Sequence, residues 1–294
     1  MIPKIFKNQY NEIRCGWAII PMILLIIIGM LIAQASTSEG TYSIWNQMIV
    51  TCIYGVLTVG GGLLLFKLFY NRGLRQMGII RDKWFAELVH GFLIGTFATG
   101  ILLAILMLMG EVKIISYNLR FIFSLTMAVE ILSLGVFVFV EEFLTRGYFM
   151  TALKTTRNKV IIFFTSAILF ALLHLANEGV TLISTLNTFM AGIVFAYMFV
   201  KSGKLWMPIG FHFAWNFIQG TVLGFAVSGN EQASIIATKF GNNSLLNGGS
   251  YGVEGGLLTT AILLICCLYV RITVENSSKN VWSMDNDLPL VRKN

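Results

Sequence analysis

Eight apolar runs dominate the sequence, at residues 17–33, 45–66, 86–109, 121–140, 160–175, 182–200, 205–227 and 253–270. A helix needs about 20 apolar residues to cross the hydrocarbon core of a bilayer. In lipid the backbone must satisfy its own polar groups, so such runs fold as closed helices. Composition agrees: 56% of the 294 residues are hydrophobic and 12% are charged. A soluble domain carries about 25% charged residues. The expected fold class is therefore all-α: a polytopic membrane protein of about eight transmembrane helices.

The loop charges support this layout. Lys4, Lys7 and Arg14 precede the first run. Lys67, Arg72, Arg75, Arg81 and Lys83 follow the second, and Lys154, Arg157 and Lys159 follow the fourth. Lys201 and Lys204 follow the sixth, and Arg271, Lys279, Arg292 and Lys293 follow the eighth. The opposite side holds Lys113, Arg120 and Lys239. By the positive-inside rule both termini are expected to be cytoplasmic. Short loops and the lack of sorting motifs suit a bacterial cell membrane. The net charge of +7 is spread over these loops, so no nucleic-acid partner is expected. The first run ends in Ala33-Gln34-Ala35, a small-x-small pattern like a signal-peptidase site. It exceeds the usual h-region of about 7–15 residues, which favours an uncleaved span.

Three regions follow: residues 1–120 with three spans, 121–227 with spans four to seven, and 228–294 with a polar loop, the last span and a polar tail. The loop, 228–251, is rich in Gly, Asn and Ser, and the tail reads as disordered. Gly60, Gly61 and Gly62, and the pair Gly91 and Gly95, would let neighbouring helices approach closely. Cys15, Cys52, Cys266 and Cys267 show neither a C-x-x-C pair nor a zinc-type spacing, and read as ordinary membrane-helix residues. No inverted repeat of the transporter kind is visible.

One stretch breaks the apolar pattern. Glu141-Glu142-Phe143-Leu144-Thr145-Arg146 ends the fourth run. Charged groups in membrane spans are costly and mark functional sites or pair with each other. Glu142 and Arg146 are i,i+4 and can pair on one helix face. Glu141 is turned about 100° away, with no local partner. After Arg146 the sequence is again mostly apolar, so helix 4 can run to about Leu153. Glu141 lies 16 residues before Arg157, and His174 lies 17 after it. At ~1.5 Å per residue both are ~24–26 Å along their helices from that turn, which would set them side by side. His212 and Asn216, i,i+4 in span seven, share a face but count as somewhat shallower, unless Pro208 shifts that helix. Glu130, eleven residues before Glu141, lines the same cavity or sits near the outer surface. His90 reads as an interfacial residue.

A carboxylate and a histidine flanking one water can act as a general base. A second histidine and an amide can donate hydrogen bonds to a developing oxyanion. The alternative is a metal, since two histidines and a glutamate can hold zinc with an open position: Glu141, His174 and His212. No H-E-x-x-H helix is present, and the residues themselves leave the choice open.

The order E-E-x-x-x-R (Glu141, Glu142, Arg146), F-x-x-x-H (Phe170, His174) and H-x-x-x-N (His212, Asn216) resembles the CPBP family of intramembrane proteases. This is also called the CAAX protease or Abi family. It includes the CAAX prenyl endopeptidase and bacterial bacteriocin-processing and immunity proteins. Residues 202–209 also look like the family's, and the resemblance covers about 121–227. It implies an intramembrane endopeptidase acting on a peptide or membrane-anchored protein. Glu141 would activate water with His174 assisting. His212 and Asn216 would stabilise the oxyanion, and Glu142 and Arg146 would hold the site. The family is often labelled metalloprotease, whereas the glutamate-water scheme needs no bound metal and is preferred here, with a divalent metal such as zinc the alternative cofactor. The competing classes are a non-catalytic membrane protein, such as a bacteriocin immunity factor or signalling scaffold, and a proton-coupled transporter.

Overall fold

The computed structural model describes residues 4–8, 12–37, 44–71 and 73–274. The expectation of a disordered tail falls on residues outside these. Helices stand at all eight apolar runs. They are α1 (Cys15–Thr37), α2 (Ile44–Gly55, Val56–Gly60 and Gly61–Tyr70), α3 (Trp84–Leu108) and α4 (Leu125–Glu142, Phe143–Met150 and Thr151–Leu153). They continue as α5 (Lys159–Leu173), α6 (Leu182–Ser202), α7 (Trp206–Asn216 and Phe217–Val222) and α8 (Leu257–Thr273). Among the described residues four segments are long and apolar enough to cross a membrane: Cys15–Ile32, Met48–Tyr70, Trp84–Leu108 and Leu182–Ser202. α5 and α8, at 15 and 17 residues, are shorter. The chain is an all-α integral membrane protein.

Local chemistry explains the helix starts. The Ser124 hydroxyl accepts the Met127 N–H at 3.1 Å, and the Asn158 side chain accepts that of Ile161 at 3.2 Å. Thr181 and Ser184 bond reciprocally to each other's backbone N–H, as in a capping box. Each satisfies donors that a helix start leaves open.

α4 continues past the carboxylate pair to Leu153, as the apolar sequence after Arg146 indicates. It does so through a wide π-helical segment, Phe143–Met150. α2 and α7 each carry a shorter π segment, Val56–Gly60 and Phe217–Val222. Such bulges are frequent at functional sites.

The glycines set the packing. α3 runs beside α7 along the most extensive helix–helix contact. A Cβ on Gly91 would strike the Met207 carbonyl, and one on Gly210 the Leu88 carbonyl. A Cβ on Gly95 would lie 2.6 Å from the Phe211 oxygen. The two backbones therefore touch where small residues allow it. On the other side, α1 and α2 pack on α4 through Ala18, Met22, Phe66, Phe143 and Tyr148, all fully buried. The Tyr148 hydroxyl donates to the Ala18 carbonyl at 2.8 Å.

Two strands, β1 (Val112–Tyr117) and β2 (Ile236–Phe240), pair antiparallel with Lys113 opposite Lys239. This ribbon corrects the reading of 228–251 as a plain loop. The strand is five residues long and bordered by Gly, Asn and Ser, so its alternation is too brief to stand out. A helical turn, Ser244–Asn247, and two 3-10 turns, Gly249–Tyr251 and Val253–Gly255, complete a structured strap.

α7 begins inside the protein. Leu205 N–H donates to the Gly78 carbonyl at 3.1 Å. Buried Lys204 donates to Glu87 Oε1 at 2.6 Å and to the Asp82 carbonyl at 2.7 Å. Pro208 lies in the first turn, where its missing N–H has no intrahelical acceptor to lose.

Candidate active site

The sunken start of α7 resolves the depth mismatch expected for His212. Its Nε2 lies 3.6 Å from Glu141 Oε2, and its Nδ1 lies 3.0 Å from Glu142 Oε1. Glu142 Oε1 also accepts from Arg146 Nη1 at 3.0 Å, so one carboxylate oxygen joins a guanidinium to an imidazole. The i,i+4 pair thus forms within one helix and reaches out to a second.

Arg146 is fully buried, and its surroundings match its charge. Nη1 also donates to Thr145 Oγ1 at 2.6 Å, and Nη2 to the Gly192 carbonyl of α6 at 3.0 Å. The guanidinium carbon lies 4.5 Å from the Phe170 ring centroid and 5.0 Å from that of Phe195. Rings facing a desolvated guanidinium add cation–π attraction of about 2 kcal/mol. Thr145 in turn donates to the Glu141 carbonyl at 2.6 Å, and Ser166 of α5 to the Thr145 carbonyl at 3.0 Å.

Phe170 holds the histidines in place. Its ring centroid lies 4.7 Å from that of His174 and 5.9 Å from that of His212, while Phe195 stacks on His212 at 4.8 Å. This gives the F-x-x-x-H spacing a physical reason: the aromatic residue one turn earlier carries both the histidine and the arginine.

The two histidines differ in their fixed nitrogen. His174 Nδ1 lies 2.8 Å from the Phe170 carbonyl, which only accepts, so Nδ1 donates. His212 Nδ1 instead donates to a carboxylate. Glu141 is 5% exposed, its Oε2 has no hydrogen-bond partner, and both histidines lie within Coulombic reach of it.

A cavity of about 30 Å³ adjoins this cluster, lined by His174, His212 and Asn216 among others. A water needs roughly 10–15 Å³ of such space, so there is room for about two. Glu141 does not line the cavity; it meets His212 from the side. Glu130 is not in the wall either. His90 lies 3.4 Å from the Tyr269 hydroxyl, between α3 and α8.

Several residues around the cavity carry no motif in the sequence. Glu254 accepts from Trp215 Nε1 at 2.7 Å, from Ser228 N–H at 2.7 Å and from Ser228 Oγ at 2.6 Å. Asn187 donates to the Glu254 carbonyl at 2.8 Å. Tyr251 lies 3.3 Å from Thr188, and burial, with Glu254 nearby, pushes its phenol above the ordinary value. The nearest sequence signal for Glu254 was its partner Trp215, which directly precedes Asn216.

Among the described residues no three His, Cys, Asp or Glu side chains are gathered closely enough to hold a metal ion. Glu141, His174 and His212 as placed do not fit a three-ligand zinc site.

The elements that build this cluster coincide with the segment that resembles known proteins. Residues 122–218 match the family model described as Type II CAAX prenyl endopeptidase Rce1-like. The matched third of the chain supports its resemblance to the CPBP, or CAAX protease, family of intramembrane proteases. No curated protein and no solved structure matches the chain.

Proposed function

We propose that the protein is an intramembrane endopeptidase that cleaves a peptide bond of a peptide or membrane-associated protein with a glutamate-activated water. The carrying observation is the buried relay Arg146–Glu142–His212, with the uncommitted Glu141 carboxylate 3.6 Å from His212, which itself lines the cavity. Glu141 removes a proton from water as the oxygen attacks the carbonyl carbon. His174, whose Nδ1 donates to Phe170, offers Nε2 as an acceptor on the same water. Negative charge then builds on the carbonyl oxygen. His212 and the Asn216 amide, one turn apart on α7, donate to it. Collapse breaks the C–N bond, and Glu141 returns its proton to the leaving amine.

The charges support these roles. An imidazolium at His212 would have Glu142 Oε1, 3.0 Å from its Nδ1, as its counter-ion, which suits a hydrogen-bond donor to an oxyanion. Positioned acid–base groups are worth about 10²–10⁴ in rate. Glu141→Gln is therefore expected to lower cleavage of a membrane-anchored quenched peptide by about 10²–10⁴-fold, with the melting temperature kept. Full activity in that variant would overturn the reading. Protection or signalling that survives it would favour a non-catalytic scaffold.

A further inference from the structure

α2 lies outside the matched segment, yet it closes the Glu141 side of the site. Gly55 faces α4 so closely that an added Cβ would sit 3.3 Å from Val136 and 3.7 Å from Val140. A Cβ on Gly62 would sit 2.8 Å from the Phe143 ring. These two contacts bracket Glu141 on α4 and Thr58 on α2. Thr58 is fully buried in the π segment Val56–Gly60, and its hydroxyl has no hydrogen-bond partner. Glu141 Oε2 is in the same condition. Buried groups left without a hydrogen-bond partner are destabilising, so a partner within reach of both is favoured.

Tyr54 precedes Thr58 by four residues. Its ring stacks at 6.3 Å on Phe137, and a Cβ on Gly29 would come within 3.0 Å of it. The ring is thereby held between α1 and α4. Phe137 lies one turn before Glu141 on α4, so Tyr54 and Thr58 occupy the part of α2 that packs beside the carboxylate.

We propose that Tyr54 and Thr58 are positioning residues for the catalytic carboxylate. Both bonds are open in this structure and close by side-chain rotation when the site works: Thr58 O–H donates to the Tyr54 oxygen, and Tyr54 O–H to Glu141 Oε2. The carboxylate is then held from α2 on one side and from His212 on the other, which limits the directions in which it meets water. The inference rests on Glu141 being the base.

Infrared difference spectra of the full-length protein in lipid nanodiscs test it. The band lost in Glu141→Gln identifies the carboxyl group. That band moves in Tyr54→Phe and in Thr58→Val, and keeps its wild-type position in Thr58→Ser, which retains the hydroxyl. Tyr54→Phe also slows cleavage of the quenched peptide about tenfold in kcat with KM unchanged, the size expected for one lost hydrogen bond. A band that stays in place in both Tyr54→Phe and Thr58→Val overturns the inference. Failure of the parent reading shows separately, as cleavage that survives Glu141→Gln.

Discussion

Among the described residues, two of the buried ion pairs are built differently. Lys204 at the start of α7 meets Glu87 at the start of α3, at 2.6 Å, with the Asp82 carbonyl as a further acceptor. Arg146 meets Glu142 at 3.0 Å on a single helix. The lysine pair is 8% and 18% exposed and anchors two chain segments to each other. The arginine pair is sealed at 0%, and its carboxylate extends to His212, beside a second acid with an unpartnered oxygen. A pair that serves as a strut ties two segments together. A pair that serves a site hands its charge onward and leaves a neighbouring group uncommitted.

The comparison breaks most sharply at Arg146. Arg146→Met would leave Glu142 buried without its cation, and removing one partner of a buried pair costs about 3–5 kcal/mol. A large fall in melting temperature and loss of cleavage are expected together in thermal unfolding and peptide assays. Asn216→Ala touches only the proposed oxyanion contact. It should lower kcat by about 10²–10³-fold while stability barely changes, as steady-state kinetics would read. Lys204→Met attacks the strut. It should destabilise by about 1–3 kcal/mol and leave kcat near wild type in the folded fraction, which would separate the two kinds of pair. The smallest effect is expected from chelation: a glutamate-water enzyme keeps its activity in excess EDTA. Loss of activity together with a stoichiometric zinc would show instead that Glu141, His174 and His212 are ligands.

Much of the site was legible in the sequence because lipid punishes stray charge. In a chain this apolar, Glu141, Glu142 and Arg146 stand out, and helical spacing alone divides them into a pair and a remainder. The length of helix 4 was legible too, since the apolar pattern resumes at Gly147. The His212 contact was not. Its depth depends on where α7 begins, and Lys204, a residue that usually marks a membrane surface, is here drawn inside by Glu87 and Asp82. Phe195, Gly192 and Glu254 were also hidden, because a mid-helix aromatic, a backbone carbonyl and a loop carboxylate carry no local signature.

The sequence by itself determined an all-α membrane fold, the places of its helices and the identity of the polar groups placed within them. Those follow from one-dimensional facts: apolar run length, i,i+4 spacing and the scarcity of charge. Only the tertiary structure decided which groups meet. The crossing of α3 and α7 at their glycines, the π segments that contain Thr58 and follow Glu142 and Asn216, and the strap that brings Glu254 to the cavity all depend on packing between distant segments. No local pattern encodes such contacts, because each is set by the shape of a partner dozens of residues away.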